Sequence, residues 1–131
     1  MRGEEWGIII VKTKMSKQFS NLEAWKCAKN LSVFIYSLTK RYPDIERFAL
    51  ASQTNRAVVS IVANIAEGSS RSSKKDFAHF LEISIGSAFE LETLIEIAHD
   101  LHYIDQNDKN EFDNQTEKVL KLTFGLKRKL L

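Results

Sequence analysis

The sequence predicts an all-α protein folded as an antiparallel, up-down-up-down four-helix bundle. Apolar residues recur at helical spacing through four long segments, the signature of helices that bury one stripe each. One proline and five glycines in 131 residues leave little punctuation, which favours a few long elements over many short ones. Short links between long helices make sequence neighbours antiparallel. Strand-like alternation is confined to the N-terminal residues, and no internal repeat is present.

The first helix is expected at about 21–42. Ser20-Asn-Leu-Glu23 reads as a capping box, in which the serine hydroxyl accepts from the amide three residues on and the glutamate reaches back. Leu22, Trp25, Ala28, Leu31, Ile35 and Leu38 follow at helical spacing. Pro43 ends the helix, because the residue before a proline avoids the α region. The second helix is expected over Gln53–Glu67, with Ser52 as its cap. Its apolar residues (Ala57, Val58, Val59, Ile61, Val62, Ala63, Ile65, Ala66) cover more than one face, so it is expected to be buried on two sides. Gly68 is read as the left-handed residue that closes it.

Ser73-Lys-Lys-Asp76 caps the third helix, with an acid in the first turn where the helix dipole favours it. Its apolar stripe runs from Phe77 to Leu101, and the helix to about His102, itself read as a capping residue. Ser84, Gly86, Ser87 and Ala88 form a small-residue window where another helix can approach closely. Gly86 costs about 1 kcal/mol there relative to alanine, so a packing reason is expected, and Gly86→Leu should damage folding or assembly. Asp105 or Asp108 caps the fourth helix, whose inward positions include Phe112, Thr116, Val119, Thr123, Leu126 and Leu130.

The bundle domain is assigned to 15–131, a length that buries a core without disulfides or metals. Met15-Ser-Lys-Gln resembles a start, so residues 1–14 are either an upstream extension or an arm that pairs in β fashion with a neighbour. Gly7-Ile-Ile-Ile-Val11 is too short for a signal peptide core, and no apolar run reaches the roughly 18 residues of a membrane span. A cytoplasmic protein with no membrane role is expected. Cys27 is alone and lies in an apolar helical pattern, where a free cysteine acts as a small hydrophobe.

Net charge is +2, but the charge is segregated along the chain. Nine acidic residues and one lysine lie between Glu90 and Glu117, whereas Lys118–Leu131 holds five basic residues and no acid. Arg71, Lys74 and Lys75 form a second basic cluster. Such patches permit nucleic-acid binding that the total would not suggest. The phosphate-contacting candidates are Arg71, Lys74, Lys75, Lys127, Arg128 and Lys129.

Residues that carry chemistry are scarce. Glu96-Ile-Ala-His99 matches half of a di-metal bundle motif, but the second Glu-x-x-His is missing and a full site needs both. No metal or cofactor is expected. No nucleophile elbow, phosphate loop, triad order or cysteine pair occurs, and Gly68–Ser73 reads as a solvated turn more readily than as a phosphate cradle. The chain is not read as an enzyme. Arg56 and Glu67 are the two charges of the second helix and lie three turns apart, so they cannot pair with each other. Each must meet solvent, another helix (through Glu90 or Glu92) or another subunit.

Taken together, Trp25 with Ala28, Tyr42-Pro-Asp-Ile-Glu46, Gln53-Thr-Asn-Arg-Ala57 with Ser60, Asn64-Ile-Ala-Glu-Gly68 with Arg71, and Phe80-Leu-Glu-Ile-Ser-Ile-Gly-Ser87 with Glu90-Leu91 resemble the 23S rRNA-intervening sequence proteins. That family is also known as four-helix-bundle or ribosomal-protein-like proteins. The resemblance spans about 20–130, and Ser84 departs mildly from the alanine frequent in the family. It implies an up-down bundle assembled as a homopentameric ring without established activity. Some members are encoded in ribosomal RNA gene insertions. A branch that looks related, the accessory variability proteins of diversity-generating retroelements, binds nucleic acid and a reverse transcriptase. On the resemblance, Arg56, Asn64, Glu67, Gly68, Gly86, Ser87 and Glu90 are motif positions with structural or interface roles. Two functions are carried forward: an oligomer that binds structured RNA or DNA, and an oligomeric scaffold for an unidentified protein partner.

Overall fold

In the computed structural model, residues 19 and 22–131 are described. Four helices account for most of them: α1 Glu23–Thr39, α2 Leu50–Ser69, α3 Lys74–Asp100 and α4 Gln106–Lys129, with a short 3-10 turn at Asp44–Glu46. No strand occurs among the described residues. Ser20 and the 1–14 segment lie outside them. The described start of α1 has Leu22 at the N-cap, without a side-chain cap.

Each helix packs on its sequence neighbours, and α1 also packs on α4. Ser60 meets Ser87 while Ser84 meets Ile61, so numbering runs oppositely along α2 and α3. The same holds for α3 and α4, where Glu96 meets Lys109 and Glu82 meets Lys127. Between the helices lies one core. Leu31, Ile35 and Leu38 of α1 are fully buried with Val58, Ile61 and Ile65 of α2, Leu81, Leu91 and Ile95 of α3, and Phe112 and Val119 of α4. Burial of such side chains contributes roughly 1.5–3 kcal/mol each. Cys27 is half-buried against this core.

Helix boundaries differ from the sequence reading at three places. α1 stops at Thr39 because its end tightens: Arg41 and Tyr42 donate to Leu38 and Thr39 carbonyls, i to i−3, at 3.0 and 3.1 Å. Pro43 then opens the 3-10 turn. α2 begins at Leu50, not Gln53, with Ala49 at the N-cap. Ser52 is therefore inside the helix and caps nothing; burial of Ala51 and Thr54 extends the helix backwards. Ser73 does cap α3, accepting from the Asp76 amide at 3.1 Å. Asp105 caps α4 in a reciprocal box with Asp108.

The third difference concerns glycine. Gly68 is buried within α2, and no glycine among the described residues has positive φ. A Cβ at Gly68 would lie 2.8 Å from Phe80 Cβ and 2.9 Å from Phe77 Cδ1. Glycine is there because α3 comes so close, and the helix needs no left-handed residue at that point. The left-handed residue is His102, with φ 63°. The His102 amide donates to the His99 carbonyl at 3.0 Å and the Tyr103 amide to Ala98 at 2.9 Å, the paired bonds of a Schellman motif.

Candidate functional site

Two surfaces collect the residues singled out from the sequence. The first is one end of the bundle. α3 starts at Lys74 and α4 ends at Lys129, and the two helices run oppositely, so Arg71, Lys74 and Lys75 share an end with Lys127, Arg128 and Lys129. The salt bridge between Lys127 and Glu82, 3.1 Å long, ties the last turns of α4 to the N-terminal third of α3. Lys26, in the first turns of α1, lies at the same end and pairs with Glu23 at 3.3 Å.

The six candidates are not equivalent. Arg71 forms an ion pair with Glu67, and its guanidinium lies 4.7 Å from the Phe80 ring centroid. Lys127 is engaged by Glu82. Lys74, Lys75, Arg128 and Lys129 make no ion pair among the described residues, and all four are exposed. Four of the six candidates thus lie outside the ion pairs of the described residues.

The second surface is the α2–α3 seam. All seven motif positions fall on these two helices, and two of them, Asn64 and Ser87, join Ser60 and Ser84 in its polar contacts. The Ser60 and Ser87 hydroxyls are 2.8 Å apart, and the Asn64 amide donates to the Ser60 carbonyl at 2.8 Å and to its hydroxyl at 3.1 Å. Ser84, fully buried, donates to the Ile61 carbonyl at 2.9 Å. Small hydroxyl residues let the two backbones approach and still satisfy every polar atom named. Glu67 turns to Arg71, not to α3. Within the chain Gly86 lines no tight contact. It is exposed, and a Cβ there would meet nothing within 4 Å. α2 is likewise not buried on two sides, since Val59 and Ala63 face outward.

The acidic stretch makes a third feature, a groove of about 440 Å³ between α3 and α4 lined by Phe89, Glu92, Glu96, Lys109, Asp113 and Glu117. Glu96 contacts Lys109 at 2.8 Å, and no cluster of three or more metal-ligating side chains occurs among the described residues. Burial opposes the Lys109 charge, yet Asp113 and Glu96 hold its pKa above the usual lysine value. Glu92 is raised, first by burial and then by Asp113. Burial also pushes the Tyr42 phenol up to about 12. Each shift has a structural cause: Glu92 and Lys109 share the acidic groove, and Tyr42 packs against Tyr103 at 5.4 Å.

In the turn after α1, sequence reasoning did not single out two exposed apolar side chains. Ile45 and Phe48 are 85% and 87% exposed, on a segment anchored where Tyr103 donates to Glu46 at 2.9 Å. The available signal was two large apolar residues inside an otherwise polar connection.

This architecture defines an all-α bundle whose distinctive residues lie on a helix–helix seam and a basic end. The chain belongs to the 23S rRNA-intervening sequence protein family, whose sequence model matches residues 20–125. Its fold is similar to that of a protein of unknown function from the S23 ribosomal protein family of Bacteroides thetaiotaomicron VPI-5482. The TM-score is 0.74 at 25% identity, covering 80% of this chain and 95% of the other. No curated protein matches the sequence. No helix among the described residues is long and apolar enough to cross a membrane.

Proposed function

We propose that this protein is a non-catalytic, cytoplasmic homo-oligomer, a pentameric ring, that binds structured RNA or DNA through the basic end of its bundle. The observation that carries the reading is the meeting of two basic clusters, separated by the whole of α3 and most of α4 in sequence, at one end. Chance segregation for solubility does not require that meeting. The family's association with ribosomal RNA insertions and the resemblance to nucleic-acid-binding accessory variability proteins favour the same partner. Among the described residues the basic end of one chain offers four candidate cations outside ion pairs, so binding depends on repetition of the patch around the ring. The Phe80 ring beside the cations is covered by the Arg71 guanidinium at 4.7 Å, which favours selection by shape over base stacking.

A mobility-shift assay at low salt tests this. Binding should weaken with salt by about −0.7 in log–log slope per phosphate contact on single strands, about −3 for each fully engaged subunit patch. Charge reversal at Lys127, Arg128 and Lys129 should abolish binding and leave the oligomer intact. Absence of salt-sensitive binding by the wild-type protein sinks the reading. The scaffold alternative then takes its place, supported by Ile45 and Phe48, two apolar side chains held out on an anchored turn as a docking knob would be.

A further inference from the structure

Among the described residues, a groove of about 340 Å³ lies between the start of α1 and the last turns of α4. Its apolar lining is Leu22 and Ala24 from the α1 side and Leu122 and Leu126 from α4, with Lys121 and Lys129 beside them on α4. Glu23, an acid at its rim, is paired with Lys26 at 3.3 Å. Gly125 also lines the groove, and a Cβ there would meet only the far end of Arg128, at 3.9 Å. Glycine weakens a helix interior, and packing within the chain does not call for one at this position. Its effect is to keep the groove open. The groove lies where α1 begins and α4 stops, so it continues the surface of the basic end.

We propose that this groove receives one unpaired nucleotide of the bound nucleic acid, its base against Leu122 and Leu126 and its adjoining phosphates on Lys121 and Lys129. An apolar floor flanked by two cations matches a flat base carried on a phosphate backbone, and aliphatic walls are among those that hold extruded bases. The length of the floor favours a base over a helix of a protein partner. Leu122 to Leu126 spans about 6 Å at 1.5 Å per residue, whereas a docked amphipathic helix anchors from i to i+7, nearly twice as far. Lys121 bonds Glu117 at 3.0 Å, but both side chains are largely exposed. Such a pair contributes little, so the ammonium exchanges to phosphate at small cost. Lys129 makes no ion pair among the described residues. A continuous duplex keeps its bases stacked and reaches only the lysines, whereas a bulge or loop presents its base without the cost of unpairing. This assignment rests on the nucleic-acid reading above and adds to it the class of strand preferred.

Fluorescence anisotropy tests it, with the purified full chain and two RNA hairpins of one stem sequence, one fully paired and one carrying a single-nucleotide bulge. The bulged hairpin should bind about tenfold tighter, within the range that one packed base contributes. Gly125→Leu has room within the chain, so it should stay folded by circular dichroism and fill the groove. It should then bind both hairpins equally, with the salt dependence kept. Lys121→Gln should lower the salt slope on the bulged hairpin by about one. Salt-sensitive binding of both hairpins with equal affinity by the wild type overturns the groove assignment and leaves the nucleic-acid reading standing. So does a folded Gly125→Leu protein that keeps the bulge preference. Absence of binding to either hairpin at low salt overturns the nucleic-acid reading and this assignment together, and turns the groove over to the scaffold alternative.

Discussion

The connection from α2 to α3 and the connection from α3 to α4 solve the same problem in opposite ways. In the first, a glycine is present at the helix end, but the backbone stays right-handed and Ser70 and Arg71 simply donate back to Glu67 and Gly68. In the second, the backbone needs a left-handed residue, and a histidine supplies it. Glycine is thus used where helices touch, and conformational strain is accepted where they do not. The difference teaches that a glycine near a helix end has two possible physical causes, steric room and positive φ. Only the neighbouring helix separates them.

Substitutions at these connections can break that account. Gly68→Val should have the largest effect, a destabilisation of about 3 kcal/mol, because overpacking a tight contact commonly costs that much. Here the contacts are Phe80 Cβ and the Phe77 backbone carbonyl, at 2.8 and 3.3 Å. A neutral result in chemical denaturation would mean that conformation, not contact, fixes glycine there. His102→Gly should do the reverse and stabilise by about 1 kcal/mol, by removing the left-handed penalty on a residue with a Cβ. A lowered melting temperature would show that the imidazole contributes more than the strain removes. Ser73→Ala should cost about 1 kcal/mol, the usual loss of an N-cap acceptor, readable in the same denaturation experiment.

The α3–α4 connection also carries the smallest and most pH-dependent effect. Burial opposes the Asp108 charge, but the Arg41 guanidinium at 3.0 Å and the Asp105 amide more than offset it and hold the carboxyl below its usual 3.8. A depressed folded-state pKa contributes stability that is present above the unfolded value and is lost as pH falls through the folded one. Asp108→Asn should therefore lower the melting temperature at neutral pH, with the deficit shrinking as pH falls below 3.8. A deficit that does not change with pH would assign the effect to packing alone.

Most of the architecture was legible because it is local. Ser73 and Asp105 announce their caps by residue type, and the stripes of Leu31–Ile35–Leu38 and Leu91–Ile95 announce the core by spacing. Ser52 misled because it is a good cap by composition, whereas the burial of Ala51, a tertiary matter, decided where α2 begins. Gly86 was assigned the close contact that Gly68 makes, and Gly68 the left-handed conformation that His102 supplies. One touches α3 and the other faces outward, and periodicity alone cannot rank two glycines by contact. For the basic end, charge clustering was legible, but the loss of Arg71 to Glu67 and of Lys127 to Glu82 was not. Long side chains choose partners only after the helices are placed.

The closeness of α2 to α3 also bears on the order in which the bundle forms. Only residues 70–73 separate these helices, so closing that hairpin costs little chain entropy. Contacts between sequence neighbours form on the fastest timescales. The seam between α1 and α4 instead joins distant parts of the chain, as the Arg41–Asp108 pair illustrates. The α2–α3 hairpin, with its serine bonds and its Gly68 contact, is thus the natural nucleus, and α1 and α4 add to it. A bulky residue at 68 would slow folding itself, whereas a weakened Arg41–Asp108 pair would chiefly hasten unfolding.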